Sequence, residues 1–361
     1  ISNARYHYWS DNRAIQLILA EAASPGDHFL ISVRTDRGDG VGAFISANLF
    51  ISSIEKIIFE LDVFLQQLNF VEALLKTSTR REELYELLSR AVSLFRGDLL
   101  EKNCWPEFIA SLERALKPLL SLCGEAKMYS AHLVGHSHID MNWLWPWPDT
   151  VEVCRRDFST IDRLMEEFPQ LCFSQSQAAV YLTTEEKFPD LFHSIQKRVR
   201  EGRWEITAAT WVEGDLNMAS GESLVRQILY AKRYIFNKFK VEPRMCWEPD
   251  TFGHPWTYPQ ILKKSGLDFY YFCRAGKGLS LFWWEAPDGS RVLAFNREGY
   301  GGTVAAQGIV YGNIDFKQKY HLKTNMFVYG VGDHGGGPAR KDILAALQLS
   351  KKPLLPDIKF S

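Results

Sequence analysis

The sequence predicts an α/β protein. Residues 128–361 read as a seven-stranded parallel β/α barrel-like domain, and residues 1–127 as an N-terminal domain of short strands followed by helices. Three observations predict this. Seven short apolar runs recur after residue 128, separated by helix-length amphipathic segments. The runs carry apolar residues on both faces, the pattern of strands covered by helices on two sides. Polar clusters follow most of the runs, as expected where functional loops collect at the carboxyl ends of parallel strands.

Composition limits the class. The 361 residues hold 42 Lys+Arg against 43 Asp+Glu, a net charge of -1, which argues against nucleic acid as a partner. With 24% charged and 46% hydrophobic residues the chain is ordinary globular material, not a disordered one. No apolar run approaches the ~20 residues that span a bilayer, so no membrane partner is expected. Six cysteines are scattered without a CxxC pair, which reads as free thiols in a reducing, cytoplasmic setting. Aromatic residues make up 13%, and several Trp sit beside polar motifs where flat rings line pockets.

Element by element, HFLISVRTD (28–36) and VGAFISANLF (41–50) read as short strands with Gly-rich turns. Residues 53–76 place Ile54, Ile57, Ile58, Leu61, Phe64, Leu65 and Leu68 on one helical stripe. Helices follow at 81–96 and at 106–122, the latter opened by Pro106 in a favoured first-turn position. The seven strand candidates are 132–135, 171–176, 203–209, 244–247, 268–273, 291–296 and 326–331. Helices are expected between them at 150–168, 184–201, 221–240 and 257–265. HSHID follows the first strand, TWVEGD the third, EPDTFGHP the fourth, EGYGG the sixth and GDHGGGP the seventh.

These clusters carry the chemistry. His136, His138 and Asp140 alternate along a strand end and so point one way. His-x-Asp offers an imidazole nitrogen and a carboxylate to one divalent ion. Asp250 lies between Pro249, which fixes the backbone, and Gly253, which permits a sharp turn. Asp333 and His334 precede three glycines that let backbone approach a ligand or form a flexible loop. Trp211, Glu213, Asp215 and Asn217, spaced by two, suggest an extended segment with polar groups on one side. Glu285 and the Asp288-Gly289-Ser290 turn read as structural.

The motifs HSHIDMNWLWPW, GRWEITAATWVEGDLNMASGESLVRQ, WEPDTFGHP, FWWEAPDGSRVLAFN and GVGDHGGGP, in this order, resemble the glycoside hydrolase family 38 α-mannosidases, most of all the cytosolic and microbial branch. The resemblance implies a retaining α-mannosidase acting on oligosaccharides with terminal α-linked mannose, and one divalent ion, usually zinc. His138 and Asp140 match the family's metal ligands, and Asp250 matches the nucleophile that also reaches the metal. Asp333 matches the region of the general acid/base. Animal Golgi and lysosomal relatives read Gly-Asp-Asp there, with the second Asp as the acid. Here the second position is His334, so the acid is Asp333 or a residue elsewhere. The fourth metal ligand of the family is a His from a later β-rich region absent from this chain. Self-association is also common in that branch. Trp143, Trp211, Tyr300, Glu213, Asp215 and His334 are the expected substrate contacts, the rings by stacking and the carboxylates by accepting hydroxyl hydrogen bonds. Two rival readings remain: a metal-dependent amide hydrolase or deacetylase using His136 and His138, and a non-catalytic carbohydrate-binding relative.

Overall fold

The computed structural model describes residues 52–361 apart from 78, 79, 103, 298, 333 and 334, and leaves the side chains of 52, 53, 75 and 77 undescribed. The strands expected at 28–36 and 41–50 lie outside the described residues, as do Asp333 and His334. Ser52–Ser361 forms one compact unit.

All seven expected strands form. They are β1 (Ser130–His136), β2 (Phe173–Gln175), β3 (Trp204–Ile206), β4 (Met245–Trp247), β5 (Phe269–Phe272), β7 (Arg291–Asn296) and β8 (Thr324–Tyr329). Two more join them, β6 (Leu281–Glu285) and β9 (Asp357–Phe360). The nine do not close into a seven-stranded barrel. One all-parallel sheet has the order β3-β2-β1-β8, with β9 paired to the first half of β1 at 130–133 and β2 to its end at 135–136. The second has the order β4-β5-β7-β6, in which β6 runs antiparallel to β7. The reversal comes from the turn between β6 and β7. Ala286 N–H bonds to Ser290 O, Asp288 Oδ1 accepts the Ser290 N–H, and the Asp-Gly pair within is a hairpin signal. No ladder joins the sheets among the described residues. β3 and β4, three residues each, end their sheets on the facing sides. Side chains join them instead: Val134 and Val328 of the first sheet meet Trp247 and Tyr271 of the second, whose rings stack at 3.8 Å.

The helices follow their apolar spacing. In α9 (Gly221–Phe239) the buried residues Leu224, Ile228, Ala231, Ile235 and Phe239 recur every three or four positions. Ser220 caps it by accepting the Ser223 N–H at 3.2 Å, and Lys240 ends it with φ 60°. Each large buried chain contributes about 1.5–3 kcal/mol. α6 (Trp147–Glu167) and α10 (Tyr258–Lys264) sit where expected. The single helix expected at 184–201 is two, α7 (Ala178–Lys187) and α8 (Pro189–Arg200). Pro189 has no N–H to continue α7 and Phe188 turns extended at φ −139°. α11 (Ala306–Tyr320) and α12 (Arg340–Ser350) follow the antiparallel hairpin and β8.

Before the sheets lie α1 (Ser52–Thr77), α2 (Arg81–Ser93), the one-turn α3 (Asp98–Glu101), α4 (Trp105–Leu116) with a 3-10 turn at Lys117–Leu122, and the one-turn α5 (Cys123–Ala126). α1 buries part of the expected stripe: Ile57 and Phe64 are buried and Leu61 and Leu68 half-buried, while Ile54, Ile58 and Leu65 are exposed. It buries Ile57 and Phe64 against α4, Val71 against α2, and Val63, Phe70 and Leu74 against the first sheet and α11. Contact with several neighbours breaks the single-face periodicity. All six cysteines are free thiols.

Candidate metal centre and active site

The carboxyl end of β1 carries His136-Ser137-His138-Ile139-Asp140. His136 is fully buried, its Nδ1 3.0 Å from Ser174 O and its ring 5.1 Å from Trp247. Burial pushes its imidazole down to about 3, with His138 adding to the effect. It points into the layer between the sheets.

His138 is buried at the rim. Its Nε2 lies 3.0 Å from Asp140 Oδ1 and 3.9 Å from Asp250 Oδ2. Its Nδ1 lies 3.6 Å from Glu213 Oε2. Burial alone would lower this imidazole. The hydrogen bond to Asp140 and the charges of Glu213, Asp140 and Asp250 outweigh burial, so the pKa is raised. The Tyr300 ring covers His138 at 4.4 Å.

Asp250 arrives from the end of β4, in the other sheet. One oxygen pairs with Arg274 Nε and the other turns toward His138. Arg274 follows β5 and lies over the Phe252 ring at 4.3 Å. Gly253 is required by the close approach of Asn217 rather than by a turn, since a Cβ there would stand 2.1 Å from Asn217 Nδ2.

Glu213 is turned into the protein. Its Oε1 accepts the Asp250 N–H, and burial pushes its carboxyl up to about 7. Behind β4, Glu248 is fully buried and accepts from Tyr270 at 3.0 Å and Tyr258 at 3.3 Å; burial pushes it up to about 8. Tyr270 Oη also meets His254 Nδ1 at 2.8 Å, and His254 Nε2 meets Arg274 O at 3.2 Å. These bonds hold the loops after β4 and β5 together behind Asp250.

His138, Asp140 and Asp250 each bring one donor atom within 4.8 Å of the others. One imidazole nitrogen and two carboxylate oxygens are a usual donor set for a divalent cation. Like-charged carboxylates held this close are stabilised by a cation between them. The residues therefore fit the expected ion. His136 is not part of the cluster.

The other expected contacts divide. Tyr300 lines the cleft beside the cluster, with Arg274, Phe252 and Lys341, in a cavity of about 910 Å³. Trp143 is 59% exposed and meets Trp145 edge-on at 5.7 Å. Trp211 turns toward α9, its ring 5.8 Å from Tyr234. Asp215 is exposed and accepts the Asn217 and Met218 N–H groups at 2.9 Å, closing a turn.

Two further residues went unread in the sequence. Gln177 lies after β2 with φ 66°, donates to Ile139 O at 2.9 Å and accepts the Glu213 N–H at 3.1 Å. It ties the rim of β1 to the segment that holds Asp250. Arg274 is the other. Polar runs after the second and fifth strands, SQSQ and CRAGK, were the available signal. The glycine run 335–337 is clamped rather than loose. Gly335 N–H bonds to His138 O at 2.8 Å, Gly336 N–H to Asp157 Oδ2, and Val331 and Gly337 pair through both amides. Asp157, in α6, is buried and also accepts from Ser137 Oγ at 2.7 Å and Arg156 Nε at 3.2 Å.

Residues 128–361 match the glycosyl hydrolases family 38 N-terminal domain over their whole length. The chain belongs to glycosyl hydrolase family 38. Among its family 38 relatives, Alpha-mannosidase G of Dictyostelium discoideum is 34% identical over 262 residues, 70% of this chain and 24% of that protein. Alpha-mannosidase 2C1 of Homo sapiens is 33% identical over 249 residues, 66% of this chain and 24% of that protein. The chain thus spans about a quarter of the length of these curated relatives. The fold is shared with the crystal structure of an alpha-mannosidase from Enterococcus faecalis V583, with TM-score 0.55, 22% identity, and coverage of 64% of this chain and 28% of that one.

Proposed function

We propose that this family 38 chain carries the catalytic half-site of a retaining α-mannosidase, with residues 128–361 as its catalytic domain and zinc as its ion. The substrate class is an oligosaccharide with terminal α-linked mannose. The observation that carries the reading is the convergence of His138, Asp140 and Asp250, from two separate sheets, on one point next to Tyr300 and Arg274 of the cleft. Names of the relatives support the substrate class. The six free thiols suit a reducing, cytoplasmic compartment.

His138, Asp140 and Asp250 would hold the ion. When bound it supplies a template and electrostatic stabilisation for the sugar's hydroxyls. The remaining chemistry belongs to the chain. Glu213 grips the Asp250 amide and Arg274 fixes one carboxylate oxygen, which leaves the other free on the His138 side. That oxygen attacks the anomeric carbon as the bond to the leaving oxygen breaks. A second carboxyl group, about 5–5.5 Å away in a retaining enzyme, gives its proton to the leaving oxygen. By its place in the sequence motif Asp333 takes this role and His334 that of a substrate contact. Water then cleaves the glycosyl ester, losing its proton to the same carboxylate. Tyr300 and Phe252 border the sugar space, and Trp143 stands exposed at the same rim.

Hydrolysis of an aryl α-mannoside, before and after chelation, tests this. Turnover that vanishes on chelation and returns with zinc is expected. Turnover indifferent to complete metal removal overturns the metal assignment.

A further inference from the structure

A second cavity, of about 650 Å³, lies against α9 and away from the carboxylate cluster's cleft. Its wall is a polar and aromatic stripe opposite the buried one: Arg226, Tyr230, Arg233, Tyr234 and Asn237 recur at helical spacing, and Trp211 stands against them. From Ser223 to Asn237 the stripe runs about 21 Å at the helical rise of ~1.5 Å per residue. That is the length of several linked sugars rather than one.

The charges in it are unequal. Arg226 is paired with Glu222 and donates to Tyr230 Oη at 3.2 Å. Arg233 makes no ion pair or hydrogen bond among the described residues, and neither does the Asn237 side chain one turn on. Among the described residues no Asp or Glu lines the cavity, although Tyr234 Oη donates to Glu185 at its edge at 2.9 Å. Tyr230 is 48% exposed, and the Trp211 and Tyr234 rings meet edge to face, so aromatic surface and uncompensated cation adjoin. At the rim, Asp140, Glu213 and Asp250 surround His138, and Arg274 and Lys341 line the cleft beside them. An anionic group on a sugar is attracted to this groove by the unpaired guanidinium. The two places share one stretch of backbone. Trp211 is in the groove, Val212 N–H bonds to Gln227 Oε1 of α9, and Glu213 is at the cluster.

We infer that this groove binds a sugar carrying phosphate or carboxylate, held by Arg233 and Asn237 and stacked on Tyr230 and Trp211. It serves as an outer site for the mannose-bearing chain whose end enters the cleft, and in that sense rests on the proposed function. Aromatic faces take sugar rings, and a guanidinium with a neighbouring amide matches an oxyanion.

Direct binding to the 361-residue chain tests it, by calorimetry or by ligand-observed NMR. The probes are mannose 6-phosphate, glucuronic acid, neutral mannopentaose and inorganic phosphate. One of the two anionic sugars should bind more tightly than the neutral chain, and which one does so names the substituent. Arg233→Gln, at an exposed side chain without partners, should weaken that binding about fivefold, and Tyr230→Ala should weaken it again. Binding unchanged by Arg233→Gln overturns the inference. So does inorganic phosphate binding as tightly as the sugar phosphate, or concentration-dependent self-association through this face with no sugar bound. A protein that cleaves aryl α-mannosides but ignores the anionic sugars loses the groove alone. One that binds them but cleaves nothing loses the catalytic reading alone.

Discussion

Asp250 is where the chemistry is most exposed to test. Its carboxylate is fixed by Arg274 and its amide by Glu213, so Asp250→Asn changes charge and nucleophilicity with little change of shape. Turnover of an aryl α-mannoside is expected to fall by at least about 10³, with circular dichroism unchanged. Wild-type rates in this variant would refute the nucleophile. Gln177 acts differently. Its amide satisfies Ile139 O and the Glu213 N–H inside the protein. Gln177→Ala leaves both groups unpaired and should lower stability by about 2 kcal/mol, read as a shifted denaturant midpoint with unchanged slope. His138, Asp140 and Asp250 were legible in the sequence because their motifs are dense and close to strand ends. Gln177 and Arg274 were not, because single polar residues after a strand look like ordinary loop until their partners are known.

At the scale of elements, the seven parallel-type strands could be read from apolar runs, and α9 from its period. Three features escaped. Pro189 split an expected helix, because a continuous apolar pattern does not record a missing N–H. β6 escaped because Leu281–Glu285 alternates weakly in burial, lying at the edge of its sheet. α1 buries several faces, so the single stripe caught Ile57 and Phe64 but missed Val63, Phe70, Val71 and Leu74. The loop after β8 gives a prediction at this scale. Gly335 has φ 78°, and a Cβ there would stand 2.1 Å from Asp157 Oδ2. Gly335→Ala combines a left-handed backbone with that collision and should cost about 2 kcal/mol or more. Asp157→Ala removes the acceptor of Ser137, Arg156 and Gly336 and should cost about 3 kcal/mol. Chemical denaturation measures both. A Gly335→Ala protein as stable as the parent would show that the clamp is not rigid.

For the whole molecule, the ion should report on folding as well as on turnover. A cation that binds only the assembled cluster stabilises it by RT ln(1 + [L]/Kd), about 2.7 kcal/mol at a hundredfold excess over Kd. Added zinc should therefore raise the thermal midpoint of the chain, and Asp140→Asn should blunt that rise. A midpoint unmoved by zinc would count against the cluster as a cation site independently of any activity. The sequence led to a seven-stranded barrel-like sheet because parallel runs suggest one; it carried no signal of where the ladder is interrupted, since an apolar run does not name its partner strand.

Among the described residues no ladder joins the two sheets, and this has its own mechanical meaning. Asp250 and His138 are carried by separate blocks that touch through Val134, Val328, Trp247 and Tyr271. A slide of one block over the other changes the distance between the Asp250 carboxylate and the His138 imidazole, and what resists it is side-chain packing and the single backbone pair Gly302–Gly330 rather than a strand ladder. Trimming one of those four side chains, though none of them belongs to the donor cluster, should detune the reaction centre like a loosened bearing.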